Sequence, residues 1–191
     1  MLPIRRLPKH EYYKYKDHLL ALDDDSKRLR FAYQIKDEAI AKFADSLLEK
    51  ADKHVLFVIE DVDLKIVAVG HVSLEGEKME LAFSVLSEFQ GQGYGSALME
   101  RCIEWCRNRN IRDGYMVCLQ TNDKMKNLAK KHGLKMKSEY GETTADVELP
   151  GATPETFFHE AYASNLAAFD HFNKASIKIA NTALQSLIFT Y

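Results

Sequence analysis

The stretch Val85-Leu86-Ser87-Glu88-Phe89-Gln90-Gly91-Gln92-Gly93-Tyr94-Gly95-Ser96 sets glycines at 91, 93 and 95 between an apolar run and a helical pattern. Glycine reaches positive φ without strain and lets a ligand approach the backbone. The first turn of the following helix leaves N–H groups without acceptors, at the positive end of its dipole. Together these make an anion site suited to a pyrophosphate. Three phosphate-binding patterns compete for the segment. The dinucleotide fingerprint G-x-G-x-x-G fails, because residue 96 is Ser and no parallel strand–helix–strand unit precedes it. The P-loop fails, because no Gly-Lys-Ser/Thr follows. The third, Gln/Arg-x-x-Gly-x-Gly/Ala, is met by Gln90, Gly93 and Gly95. A glycine cluster alone also fits a plain flexible turn, so the surroundings decide.

Upstream, Val55–Ile59, Lys65–Ser73 and Met79–Leu86 are apolar, β-branched runs joined by the polar turns Glu60–Asp63 and Glu75–Lys78, the pattern of an antiparallel meander. Downstream, a helix is predicted over Ser96–Arg109, a buried strand over Tyr115–Leu119, and a helix over Asn122–His132 closed by Gly133. Two more strands follow, over Lys135–Tyr140 and Thr144–Leu149, and Pro150-Gly151 breaks the pattern. Before the meander, Ile4–Leu7 reads as a short strand and Glu11–Lys53 as helical, with Asp25 or Ser26 as a cap. Within it, Asp37–Ala51 carries Ile40, Phe43, Ala44, Leu47 and Leu48 on one face. Residues 154–188 read as helix again. The predicted fold is α/β: a mixed, mostly antiparallel sheet flanked by helices, with a C-terminal helical extension. The organisation reads as one domain over 1–150 and an extension over 151–191.

At 191 residues the chain fits one domain with a real core. A formal charge of −2, from 26 Lys plus Arg against 28 Asp plus Glu, argues against a nucleic-acid partner. No apolar stretch approaches the ~20 residues of a membrane span, and Met1–Arg6 has no apolar run after its basic residues. Three cysteines are not a disulfide framework, and the expected compartment is a reducing cytoplasm.

With Gln90–Gly95, the helix after it, and Asn122-x4-Asn127-Leu128-Ala129-x2-His132-Gly133-Leu134 in order at this spacing, the sequence resembles the GNAT superfamily of acetyl-CoA-dependent N-acyltransferases. The resemblance covers roughly residues 55–149. It implies an N-acetyltransferase that moves an acetyl group from acetyl-CoA to an amine of a small molecule or protein. It implies that the backbone of Gln90, Gly91, Gln92, Gly93, Tyr94, Gly95 and Ser96 holds the CoA pyrophosphate. The strand ending at Ser84 and Val85 would pair with the pantetheine arm in a slot between this strand and Tyr115–Leu119. Asn122 would bond the arm at the mouth of that slot, and a backbone N–H near Val85 would polarise the thioester carbonyl.

The chemistry has its own demands. An amine with pKa near 10 is only about one part in a thousand neutral at pH 7, a handicap of roughly 4 kcal/mol. A general base reduces it. Alternation on Met79–Leu86 puts Glu80 with Ala82 and Ser84, opposite Leu81, Phe83 and Val85. Glu80 is the candidate base; the competing reading is an ordinary solvent-facing Glu. Many family members carry an acid, Tyr, four residues before the glycine that ends the second cofactor helix. That position is Ala129 here. Tyr94, Tyr115, Tyr140 or water are the candidates to replace it.

Other features have plainer readings. Lys124, Lys126, Lys130, Lys131, Lys135 and Lys137 read mostly as a solvated face, with one or two near the CoA phosphates. Cys102 and Cys106 are half a metal pattern or, more simply, a core face; no metal is expected. Cys118 reads as inert; a Cys nucleophile with His71 or His132 has only residue types behind it. Asp23–Asp25 reads as a helix cap or as an attraction for a cationic acceptor. The tail holds Phe157, Phe158, Tyr162, Leu166, Phe169, Phe172, Ile177, Ile179, Leu184 and Leu187 and is expected to pack on the domain or form a homodimer. The alternative function is a non-catalytic acyl-CoA-binding module. A nucleotide- or sulfate-donor transferase is disfavoured by the failed motifs.

Overall fold

The computed structural model describes residues 1–188, with side chains to Gln185. In order come β1 (Arg5–Arg6), α1 (Tyr13–Leu20), α2 (Asp24–Phe31), α3 (Asp37–Glu49), β2 (His54–Glu60), β3 (Ile66–Glu75) and β4 (Lys78–Val85). They are followed by α4 (Tyr94–Arg107), β5 (Asp113–Leu119), α5 (Asp123–Lys131), β6 (Lys135–Glu139), β7 (Glu142–Glu148) and α6 (Pro154–Ile188). The strands form one seven-stranded sheet, ordered β1-β2-β3-β4-β5-β7-β6, antiparallel except between β4 and β5. Apolar β2 and β3 are buried on both faces because helices cover both: α4 packs on β2, β3 and β4, and α1 reaches β3 from the other side.

The β4–β5 pair positions the site. Its register covers only Lys78↔Asp113, Met79↔Gly114 and Glu80↔Tyr115. Beyond Glu80 and Tyr115 the two strands part, β4 staying paired with β3 as it runs to the glycine loop and β5 with β7 as it runs to α5. Gly114 holds the closed end: a Cβ there would sit 2.3 Å from the Met79 carbonyl oxygen, a distance no side chain tolerates.

Several expectations need correction. α2 is capped by Asp23, whose Oδ1 accepts the Ser26 N–H at 2.6 Å, and not by Asp25 or Ser26. Ile40, Ala44 and Leu47 of α3 are buried, but Leu48 is exposed. β5 is not buried throughout: Met116 and Cys118 face the core, and Val117 is exposed, because only one face is covered.

The tail is a single helix, and it meets the domain with its small and polar side. Ala163 and Ala167 are the buried residues, against β1 and α4. His171 donates to Glu60 at 2.7 Å and Lys174 to the Glu60 carbonyl at 2.9 Å, while Arg5 pairs with Glu60 from β1 at 2.6 Å. Of the residues expected to pack, Leu166 is half-buried, while Phe157, Phe158, Tyr162, Phe169, Phe172, Ile177, Ile179 and Leu184 are exposed on the single chain and so do not pack on the domain; the side chain of Leu187 lies outside the described residues. No helix among the described residues is long and apolar enough to cross a membrane.

Candidate active site

A pocket of about 400 Å³ opens between α2, the end of β4, the glycine loop and α5. Ser84, Val85, Gln90, Gly91, Gly93, Tyr94, Gly95, Ser96 and Asn122 line it, so the structure gathers nine of the predicted residues into one cavity. Gln92 is outside: it is exposed and donates to the Glu88 carbonyl at 3.4 Å. Glu80 is also outside, half-buried at the closed end of the slot, opposite Ser73 on β3 and Tyr115 on β5.

The loop has the geometry its glycines permit. Gly91 and Gly93 sit at φ 76° and 83°, and a Cβ on either would meet nothing within 4 Å, so both backbones face open space. Gly93 is the N-cap of α4, and the helix closes first with Ala97 N–H donating to the Gly93 carbonyl at 3.1 Å. The N–H groups of Tyr94, Gly95 and Ser96 therefore have no acceptor within the helix. Gln90 fixes the loop to the strand: its Nε2 donates to the Val85 carbonyl at 3.1 Å, and its Oε1 accepts from Lys124. Lys131 donates to Ser96 Oγ at 2.7 Å. Of the basic stretch, Lys124 and Lys131 line the pocket, and Lys126 instead pairs with Asp123 at 2.7 Å.

The edge of β4 is open by strand geometry. Leu86 N–H bonds the Val67 carbonyl on β3. Backbone groups alternate sides along a strand, so Ser84 and Ala82 also point to β3, while Val85 and Phe83 point toward the slot. With the β5 pairing ended at Glu80, the N–H groups of Phe83 and Val85 have no ladder partner. Asn122 is buried and uses its Oδ1 to cap α5 through the Met125 N–H at 3.1 Å. Its Nδ2 has no protein acceptor among the described residues.

The Ser84 hydroxyl is engaged by a residue the sequence did not single out. His18 Nδ1 donates to the Ile66 carbonyl at 3.0 Å, which leaves Nε2 to accept from Ser84 Oγ at 2.9 Å. Burial pushes the His18 pKa down to about 4, so the ring is neutral. Beside it, Arg30 lines the pocket and donates through Nη2 to the Tyr15 hydroxyl at 3.1 Å and to His71 Nδ1 at 3.3 Å. His71 then donates from Nε2 to His54 Nδ1 at 3.1 Å. Burial, and then the Arg30 charge, hold His71 well below the usual histidine range. His18, Arg30 and His71 lie in three separate segments with no local pattern to mark them.

Of the candidate acids, Tyr140 is fully exposed in a turn and does not reach the site. Tyr94 stacks on Phe89 beside the loop. Tyr115 adjoins Glu80, and burial together with that carboxylate raises its pKa. Ala129 is 1% exposed in the core and brings no proton donor to the site. Cys102 and Cys106 lie on the buried face of α4, where burial pushes the Cys106 thiol up to about 12. Among the described residues no group of three or more His, Cys, Asp or Glu could hold a metal ion. The arrangement suits a ligand with a phosphate head and an extended amide-bearing arm: free N–H groups and two lysines for the head, an open strand edge for the arm.

The family model described as the acetyltransferase (GNAT) family matches residues 17–134. Among solved structures, the GNAT domain of S. lividans PAT superposes with a TM-score of 0.62 at 21% identity, covering 76% of this chain and 89% of that one. The spermidine N-acetyltransferase of Vibrio cholerae, in complex with CoA and spermine, gives 0.58 at 14% identity, over 75% and 91%. RimL, a ribosomal L7/L12 α-N-protein acetyltransferase in complex with coenzyme A, gives 0.58 at 14%, over 76% and 93%. A search of curated proteins gives no match.

Proposed function

The chain belongs to the acetyltransferase (GNAT) family, and from that premise we propose that it transfers an acetyl group from acetyl-CoA to the amine of a small molecule or protein. The observation that carries this reading is the parting of β4 and β5 beyond Glu80 and Tyr115, which leaves an open strand edge running into the glycine loop.

In this reading the backbone of Gln90–Ser96, with Lys124 and Lys131, holds the pyrophosphate. The edge of Phe83 and Val85 pairs with the pantetheine arm, and Asn122 Nδ2 donates to it. Bound acetyl-CoA supplies a thioester carbonyl as the electrophile. The Val85 N–H donates to that carbonyl oxygen, where negative charge gathers as the amine attacks. Glu80 accepts the proton that the amine loses, through a water across the slot. The new N–C bond forms as the C–S bond breaks, and the thiolate, a fair leaving group with thiol pKa near 8.5, takes a proton from solvent or Tyr115.

We also propose that residues 1–150 form the acyltransferase domain, that the protein works in the cytoplasm, and that the exposed apolar side of α6 forms a homodimer contact. Phe169→Glu with Phe172→Glu in the full chain should halve the particle mass in sedimentation; an unchanged mass counts against the dimer. Ala129, where an acid is usual, favours a second reading, an acyl-CoA-binding module without turnover. Amine-dependent release of CoA thiol decides between them: release supports the enzyme, and binding without release for any amine supports the module.

A further inference from the structure

The pocket is lined by Arg30, Lys124 and Lys131 and by no carboxylate. The two lysines bond Gln90 and Ser96 of the loop, where phosphates are expected. Arg30 is placed differently. It bonds Tyr15 and His71, and His71 stands across from Ala82 in the middle of β4.

The side chains that Arg30 bonds or stacks on include no carboxylate. Its guanidinium lies 5.2 Å from the Phe31 ring and 5.9 Å from the Phe43 ring. Burial, and then the Arg30 charge, keep His71 from taking up a proton. Among the described residues no carboxylate forms an ion pair with it, and its Nε is buried with no hydrogen-bond partner. Arg30 is half-buried, and a partly desolvated cation without a counter-ion is costly. Of the acids near it in sequence, Asp23 caps α2 and bonds Ser87, Asp25 pairs with Arg28 at 2.8 Å, and Asp37 pairs with Lys27 at 2.8 Å.

Resting on the acetyltransferase reading, we propose that Arg30 receives a carboxylate of the acceptor, so that the acceptor is an amino acid or another carboxylate-bearing amine. The Nη2 hydrogens of Arg30 are committed to Tyr15 and His71 and its Nε is sealed, so Nη1, which has no partner among the described residues, is the N–H left to donate a charge-assisted bond to a carboxylate oxygen. A polyamine acceptor would find no acid in this pocket and a fixed cation in its way. The carboxylate could instead reside on the acyl chain, as in succinyl-CoA, and the test separates the two.

The test uses the full-length protein saturated with CoA, titrated with N-acetyl amino acids and with the same compounds as primary amides. The carboxylate form of at least one pair should bind roughly tenfold tighter or more. Arg30→Gln should remove that difference, and Arg30→Lys should keep part of it. Equal binding within every pair, no binding by any compound, or a preference that survives Arg30→Gln in folded protein overturns the proposal. A change in the succinyl-CoA to acetyl-CoA ratio in Arg30→Gln, with the product panel unmoved, places the carboxylate on the acyl chain and also overturns it. The wild-type panel stands even if the variants do not fold. Failure of the acetyltransferase reading shows separately, as wild-type protein that does not bind acetyl-CoA.

Discussion

Gln90 donates its Nε2 hydrogen to the Val85 carbonyl oxygen at 3.1 Å, which ties the glycine loop to the last residue of β4. That bond satisfies a carbonyl the parted β5 can no longer reach, and it sets the loop at a fixed distance from the open strand edge. Gln90→Ala should therefore weaken acetyl-CoA binding about tenfold, the worth of one hydrogen bond at the strong end of the usual range. The kcat at saturating acetyl-CoA should change little. A fall in kcat with unchanged affinity, read from initial rates, would contradict this role.

The closed end of the slot depends on Gly114. Its missing Cβ makes room for the Met79 backbone, where the alternative is a contact of 2.3 Å. Gly114→Ala should cost about 3 kcal/mol or more, the upper end of overpacking, because the obstacle is backbone and cannot rotate away. Urea unfolding measures it; a loss below about 1 kcal/mol would show that β4 and β5 can separate there without harm.

His18 gives a pH dependence of stability. Its folded pKa, about 4, lies below the unfolded value of 6.5, so the unfolded chain binds the proton first. Stability is full above about pH 6.5, falls as pH drops, and stops falling through this group below about pH 4. The full effect is about 3 kcal/mol. His71 and His54 shift in the same direction and steepen the slope. Glu11, held at about 2 chiefly by its Arg5 hydrogen bonds, extends the loss to lower pH. His18→Gln should flatten the curve between pH 6.5 and 4, as read by chemical denaturation; an unchanged slope would mean that His18 does not stay neutral.

Glu80→Gln should lower the rate by about 10²-fold or more, the ordinary worth of a general base. The loss should be greatest at low pH, where little of the amine is free, and should shrink as rising pH frees it. Equal loss at every pH in kcat/KM profiles would make Glu80 a positioning residue at most.

How much of this was legible in the sequence follows the reach of local patterns. The glycine loop, β4, α4 and α5 are each written within a dozen or so residues, by turn chemistry and periodicity, and the structure has them in place, with Asn122 the cap of α5 rather than its first residue. Alternation on β4 also placed Glu80 and Ser84 on one face. It could not show that Ser84 meets His18, 66 residues away, or that Arg30 meets His71 across two elements. Those contacts exist only once α1 and α2 lie on the sheet. How the tail meets the domain was hidden for a related reason. Its aromatic content suggested packing, but a helix set close to β1 and α4 buries Ala163 and Ala167 and anchors through Glu60, which apolar counting does not see.

The central claim is that the loop and open edge form an acetyl-CoA site. Calorimetric titration with acetyl-CoA, wild type beside Gly93→Trp, tests it most directly. Open space surrounds the Gly93 Cβ position, so an indole there occupies the cradle, although φ 83° also strains any side chain. The account predicts binding with one-to-one stoichiometry by wild type and none by a Gly93→Trp protein that keeps its fold by circular dichroism. No binding by wild type, or equal binding by both, would contradict it.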